Sequence, residues 1–508
     1  MTLVTEAPGI DQSSTDRLSE IVGNAAWDAK LDPCTDADVA RLEKAAETID
    51  RHLADGRPIY GLTQGFGPLV LYRATSEMEQ GGSLIAHLGT SQGAPLPPET
   101  SRLVLWLRLN SMRSGFSAVS PDLWHRLADM WNRGFTPVIP RDGTVSASGD
   151  LQPLACAALA FAGQGEAWLR DADGQWRRRP AKEALDELGV EPFEWPVREA
   201  LAFVNGTGVC LAVALLNQQS AVRLVRAVSV LTGRLATLLK ANPEHFHVGV
   251  QEARGQVGQR TAAAWIRDEL PAGLVRSEDR PLQEPYSLRC GPQVLGAALD
   301  QLTYAGDVLL REALGCTDNP ITYEGEVLHA GNFHGMPVGL ASEQIGLAMH
   351  TVAYLAERQL ALLVNPTTNG GLPTMLTPRA GRGCGLAGVQ ISATSFISRI
   401  RQLVQPASLT TLPTNGWNQD HVPMALNSAN GVSDALELGW LAVGSLAVGI
   451  AQLAAMVEPG APQDGLWARL AEISPPLDAD RPMAPEVRAA AELVSEHAAR
   501  LLAEARTK

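Results

Sequence analysis

From Val209 to Lys240 the chain carries a helical pattern that is apolar on nearly every face, broken only by Asn217-Gln-Gln-Ser220 and a few arginines. A surface helix needs one polar face, so a helix of this kind lies inside a bundle. Comparable segments follow at Pro292–Leu314, Leu340–Leu363 and Val432–Met456. A last amphipathic helix opens at Pro485, with Val487, Ala491, Val494, Ala498 and Leu501 on one face. Long helices that must bury one another leave little choice of architecture. The fold expected is mostly α, a central bundle of long helices. Hydrophobic residues make up 45% of the 508, enough to fill a large core.

The first part of the chain reads differently. Thr35-Asp-Ala-Asp38 is a capping signal, and Val39, Leu42, Ala46, Ile49 and Leu53 behind it make an amphipathic helix that ends at Asp55-Gly56. Next comes Pro58-Ile-Tyr-Gly-Leu-Thr-Gln-Gly-Phe-Gly67, a glycine-rich loop able to approach a ligand closely or to move. Helical patterns resume near Ser76–His87 and from Pro98 to about Met112. Ala167–Arg170 and Gln175–Arg178 flank a turn at Asp171–Gly174 as a small exposed hairpin, and Ala181–Leu188 is a short helix. The organisation expected is a flexible N-terminus at 1–20, a loop-rich region at 21–205 and the long-helix bundle at 206–508. Met1–Asp16 is polar, which predicts fraying.

A net charge of −14 with no basic block opposes nucleic acid or an anionic membrane as partner. The longest apolar run, Leu438–Ala451, falls short of the roughly 18 residues a bilayer requires. Cys34, Cys156, Cys210, Cys290, Cys316 and Cys384 are scattered without CxxC pairs, and no signal pattern opens the chain. These features predict a soluble cytoplasmic protein. Gly383-Cys-Gly-Leu-Ala-Gly388 fits GxGxxG but lacks the strand before it and the acidic residue after it, so it reads as a turn into a helix. His245-Phe-His247 lacks further ligands, and no metal site is expected.

Chemistry enters at Gly143-Thr-Val-Ser-Ala-Ser-Gly-Asp-Leu-Gln-Pro-Leu154. The plain reading is a tight turn into a helix capped by Ser148 or Asp150. A second reading is open. Without a Cβ, the Gly149 nitrogen can approach the Ala147 carbonyl carbon, and ring closure with loss of two waters would leave an exocyclic methylidene. The segment resembles the one that forms the methylidene-imidazolone (MIO) of the aromatic amino acid ammonia-lyases and 2,3-aminomutases. Further segments match in family order between residues 60 and 422, and the resemblance covers roughly residues 35–505.

The resemblance implies that Ala147-Ser148-Gly149 becomes the MIO with no external cofactor, and that Tyr60 in the glycine-rich lid is the base. Asn205 in Asn205-Gly-Thr207 stands beside the MIO. In Pro285-Tyr-Ser-Leu-Arg-Cys290, Arg289 binds the substrate carboxylate and Tyr286 donates to the charge that develops on the MIO ring. Asn319 in Thr317-Asp-Asn-Pro320, Phe333 in Gly331-Asn-Phe-His-Gly335 and Gln419 in Asn418-Gln-Asp-His-Val422 line the substrate site. It also implies a homotetramer whose sites are shared between subunits.

The residue types suit the chemistry. An electrophile turns the substrate amine into a leaving group, a tyrosine with its phenolate favoured takes the β proton, and an arginine fork fixes the carboxylate. Four functions fit: a tyrosine or phenylalanine ammonia-lyase, a 2,3-aminomutase, a histidine ammonia-lyase, or a helical assembly protein without activity. Gln419 stands where histidine lyases typically carry glutamate, and Gln64 departs from the usual lid residue, Thr or Asn. His87-Leu88 aligns with the pair that reads the far end of the substrate ring, where tyrosine-selective members carry His-Leu. An imidazole can pair a buried phenol hydroxyl, so L-tyrosine is the substrate expected, with p-coumarate as product. The other reading of His87 is a histidine satisfied inside the bundle.

Overall fold

The computed structural model describes residues 12–73, 77–460 and 464–506. Helix α1 (Gln12–Gly23) begins within the flexible terminus expected at 1–20 and buries Leu18 and Ile21 against the long helices. Two apolar side chains three residues apart dock this otherwise polar segment. Residues 1–11, where the rest of that expectation falls, lie outside the described residues.

Helix α2 (Asp36–Ala54) starts as its sequence predicts: Thr35 Oγ1 accepts from Asp38 N at 3.2 Å and Asp38 Oδ2 accepts from Thr35 N at 2.9 Å. After the lid loop come α3 (Glu77–Leu88), β1 (Gln92–Pro95), α4 (Pro98–Arg113), α5 (Pro121–Asn132), β2 (Thr136–Pro137), β3 (Pro140–Asp142) and α6 (Leu151–Phe161). Strands β4 (Glu166–Arg170) and β5 (Trp176–Pro180) form the expected hairpin, with Trp168 opposite Arg178, and β2 adds to its other edge. β1 pairs with β3. Helices α7 (Ala181–Leu188) and α8 (Val197–Val204) complete this part.

The bundle opens with α9 (Gly208–Leu238), whose 31 residues extend about 46 Å. Then follow α10 (Val248–Arg254), α11 (Val257–Arg267), α12 (Tyr286–Arg289), α13 (Gly291–Leu314), the β6 (Ile321–Tyr323)–β7 (Glu326–Leu328) hairpin, α14 (Met336–Leu363) and α15 (Ala387–Leu403). Helices α16 (Ala425–Val457), α17 (Gly465–Ile473) and α18 (Ala484–Arg506) end the chain. α9 packs on α13, α14 and α16, and α14 packs on α13 and α16. Gly444 lets α16 press on α18: a Cβ there would lie 2.2 Å from the Val487 carbonyl oxygen.

Two helices start earlier than the apolar periodicity predicts, at Met336 rather than Leu340 and at Ala425 rather than Val432. In α16 the extra turns mix buried apolar residues with two buried, paired polar ones. Ser428 Oγ donates to Glu343 at 3.2 Å, and Asn430 Nδ2 to the Arg141 carbonyl at 2.6 Å. Tertiary hydrogen bonds there replace the apolar stripe. The stretch Val197–Leu238, which joins α8 and α9, and α16 are each long and apolar enough to cross a membrane, so the length limit inferred from Leu438–Ala451 does not apply to the whole of α16. Their most apolar stretches are largely buried in the bundle. Gly383–Gly388 leads into α15 as a turn, as expected.

Candidate active site

The Ala147-Ser148-Gly149 turn is held where three long helices begin. Asp150 is fully buried, and its Oδ2 accepts from Val209 N (3.0 Å) and Cys210 N (2.7 Å) in the first turn of α9. Ser146 Oγ donates to Asp150 Oδ1 at 2.7 Å and accepts from Leu426 N, at the start of α16, at 3.2 Å. The Ser146 carbonyl accepts from Gly335 N, just before α14, at 3.0 Å. Helix N-termini carry partial positive charge, so three of them face the turn. Asp150 stands at the N-cap position of α6 but makes no side-chain cap there; the carboxylate caps α9 instead. Two buried N–H groups from another helix outweigh a local cap. Burial pushes the Asp150 carboxyl up, while the bonds from Cys210, Ser146 and Val209 pull it down; the net direction is up.

The backbone at the turn is tight enough for Ala147 and Gly149 to form an isolated bridge. Gly149 has φ +71°, and a Cβ there would lie 2.4 Å from both the nitrogen and the oxygen of Gly206. Only glycine fits. Gly206 in turn follows Asn205, at the end of α8. Asn205 is buried; its Nδ2 donates to the Asn319 carbonyl at 2.9 Å and its Oδ1 has no partner within the chain. Gln419 Nε2 donates to Ser148 Oγ at 2.9 Å, and its Oε1 accepts from Thr414 Oγ1 at 2.6 Å. Phe333 is half-buried in the turn that leads to Gly335. Asn319 directs its side-chain oxygen to Ala330 N at 2.7 Å, so that oxygen serves the wall of the site.

The lid stands on this wall. Tyr60 N donates to His329 Nε2 at 3.1 Å, and Tyr60 OH accepts from Gly67 N at 2.8 Å. Burial raises the Tyr60 hydroxyl above its ordinary value, and the Gly67 N–H works the other way. Gly67 also closes against the Thr414–Gln419 loop, where a Cβ would meet Asn415 Nδ2 at 2.5 Å.

Two expected residues lie elsewhere in the chain. Arg289 rests over the Tyr286 ring, 4.8 Å from its centroid, and Tyr286 is 71% exposed. Gln359 Nε2 donates to the Ser287 carbonyl at 3.0 Å, which fixes α12 beside the far end of α14. From Gly335, at the turn, to Gln359 is about 36 Å along that helix. Tyr286 and Arg289 therefore do not reach the turn of their own chain. His87 ends α3, exposed, with Nδ1 against the Ser83 carbonyl at 3.0 Å; it is not enclosed by the bundle. Leu88 beside it is buried. Their loop continues to Ser91, whose Cα a Cβ on Gly143 would approach at 3.0 Å, so that loop packs on the start of the Gly143–Leu154 segment.

Sequence reasoning missed Arg108. Fully buried, it donates through Nε to Phe203 O and Nη1 to Thr317 O, each at 3.2 Å, and also to Ala202 O. It caps the C-terminal carbonyls of α8 and so holds Asn205-Gly206 in place. The signal was a lone charge in Leu103-Val-Leu-Trp-Leu-Arg-Leu109. Ser146 and His329 left no comparable trace. Among the described residues no group of three or more His, Cys, Asp or Glu could hold a metal; His247 instead caps α10.

A bundle of long helices whose N-termini converge on an Ala-Ser-Gly turn defines the class, and the chain belongs to the aromatic amino acid lyase family, whose sequence profile it matches over residues 17–473. Members of that family are carbon–nitrogen lyases. It is 36% identical over 471 residues to a histidine ammonia-lyase of Anaeromyxobacter sp. (strain K), covering 90% of this chain and 92% of that one. Among solved structures, tyrosine aminomutase from Streptomyces globisporus superposes with TM-score 0.88 at 29% identity, covering 96% of this chain and 97% of that one. Phenylalanine aminomutase from Pantoea agglomerans gives TM-score 0.87 at 26% identity, over 94% and 97%.

Proposed function

We propose that this chain is an ammonia-lyase that converts L-tyrosine to p-coumarate and ammonia, using an MIO formed by Ala147-Ser148-Gly149. The observation that carries the reading is the Gly149 cradle: the turn is closed on itself and pressed against Gly206, with Asn205 Oδ1 buried and unpaired beside it. These residues fit the group. Once formed, it supplies an electron sink to which the substrate amine bonds before it leaves.

The chain's own residues do the rest. The N-termini of α9, α14 and α16, with the second Nδ2 hydrogen of Asn205, stabilise negative charge that develops at the turn. Tyr60 removes the β proton. Contrary to the favoured phenolate expected from the sequence, burial raises its hydroxyl above the ordinary value, so the phenolate fraction, and with it the rate, grows as pH rises into the alkaline range. Tyr60→Phe should lower kcat by about 10²–10⁴-fold with unchanged thermal unfolding. Near-wild-type turnover would remove Tyr60 from the mechanism.

Arg289 and Tyr286 serve the site from a neighbouring copy, in a homotetramer. The outer face of α14 supports that assembly: Leu340, Leu347 and Tyr354 recur every seven residues, exposed, beside Tyr304 of α13. A cleft of about 900 Å³ between α13, α14 and α15 lies along it. Six free cysteines support a reducing, cytoplasmic setting.

Substrate choice rests on His87. With Nδ1 held by Ser83, Nε2 is left to pair the substrate phenol. His87→Phe should shift kcat/KM toward phenylalanine by about tenfold or more. A ratio that stays put, or a wild type that prefers phenylalanine, would overturn this assignment.

A 2,3-aminomutase is the second reading, favoured by the likeness to tyrosine aminomutase and by a stapled lid. Gln64 bridges Tyr60 and Arg73, and Gly65 N donates to Tyr72 O at 2.9 Å. A lid that holds the acrylate longer favours return of the amine. Chromatography after incubation with L-tyrosine, L-phenylalanine and L-histidine distinguishes p-coumarate from β-tyrosine. It also tests the histidine activity for which the curated relatives are named.

A further inference from the structure

Tyr60 is bound through its backbone to a residue that neither the motifs nor the chemistry above uses. His329 follows β7, on backbone fixed at both ends. On one side the β6–β7 hairpin is tied to α2, where Arg51 Nη2 donates to the Gly325 carbonyl at 2.5 Å and Arg57 Nη1 lies 3.0 Å from Glu326 Oε2. On the other, Ala330 N donates to Asn319 Oδ1, and Asn319 is itself bonded to Asn205. The imidazole thus projects from the wall that carries the buried amides, and its Nε2 meets the Tyr60 N–H at 3.1 Å.

We propose that His329 is a positioning residue that sets Tyr60 against the Asn205–Asn319 wall by accepting its backbone N–H. This rests on Tyr60 being the base. Accepting at Nε2 requires the proton on Nδ1, so the tie exists only for the neutral ring. An imidazolium has no acceptor and would turn an N–H toward an N–H. The groups that face the ring are Tyr60 from the lid and Arg198 from α8, whose charge is paired with Asp318. Glu326, Arg57 and His52 are engaged with one another at the far end of the hairpin. The residue is exposed at the surface, and partial burial of its ring first, with Arg198 second, holds it below its ordinary value. The sign follows: the tie is complete above an open-lid histidine's value of about 6.5 and is lost as pH falls below it.

The test compares wild type, His329→Gln and His329→Leu in two measurements. The first is amide hydrogen exchange across Tyr60–Gly67 between pH 5 and 8, corrected for intrinsic rates. The second is the pH profile of kcat/KM for L-tyrosine. Protection of Tyr60 in wild type should fall on acidification. In His329→Gln, which keeps an acceptor that does not titrate, it should stay level. In His329→Leu it should be reduced about fivefold at every pH. The acid limb of kcat/KM should move in His329→Gln while KM stays near wild type. An unchanged acid limb there, or wild-type protection in His329→Leu, would overturn the proposal. Altered exchange with wild-type turnover in His329→Leu would also overturn it. The exchange arm reads the tie whatever Tyr60 does, whereas failure of Tyr60 as the base shows in Tyr60→Phe.

Discussion

Ser148→Ala should leave a folded protein with almost no turnover, at least about a thousandfold below wild type, or about 4 kcal/mol of transition-state stabilisation. Loss of the hydroxyl removes one of the two waters that ring closure must expel, so the methylidene cannot form. The readout that isolates the cause is mass. In wild type the tryptic peptide Asp142–Arg170 should be lighter than its sequence by two waters, and in the variant that deficit should vanish. Folding should survive, because Ser148 is half-buried and its recorded bond is the one from Gln419 Nε2. Asp150 and Ser146, which hold the three helix ends, are untouched. A wild-type peptide of full mass in active enzyme would exclude the MIO.

Two inactive variants should restore one another. Arg289→Gln removes the carboxylate fork and Ser148→Ala removes the electrophile, so each alone is dead. Arg289 sits about 36 Å along α14 from the turn of its own chain, so the proposed site draws the two from different copies. Coexpression at equal levels should leave about a quarter of the sites with both residues intact, if copies mix at random in a symmetric assembly. Activity near a quarter of wild type, in material purified through a tag on one variant and shown to contain the other, is the expected result. If Arg289 served the turn of its own chain, no mixture could contain a complete site. Silence from verified mixed oligomers would rule out the shared site.

How much of this was legible beforehand depended on whether the signal was periodic. α9 and α13 came within a residue or two of their expected spans because a buried apolar face runs the full length of each. The first turns of α16 left a broken one. Ser428 and Asn430 sit inside because Glu343 and Arg141, far away in sequence, receive their hydrogen bonds. The same holds for the site. The Ala-Ser-Gly turn, Asn205 and Gln419 were readable from local motifs, and the fold brings them together. Asp150 looked like a local cap because a sequence shows only its neighbours, whereas its carboxylate answers to Val209 and Cys210. His329 interacts through a backbone N–H of Tyr60, and a backbone donor carries no residue signature.

The contact between Ser146 and Leu426 spans 280 residues. At a synthesis rate of about 5–20 residues per second, Leu426 is made some 14–56 s after Ser146. During that interval the turn has neither its bond to α16 nor, until Gly335 arrives, its bond to the start of α14. Any reactivity that depends on this enclosure is withheld from the nascent chain. If the proposed MIO forms only within this enclosure, a chain stalled before α16 carries no electrophile toward the thiols and amines around it. The order of the sequence thus separates the parts of the proposed site in time: the Ala147-Ser148-Gly149 turn is made early, and the helix that completes its enclosure is made late.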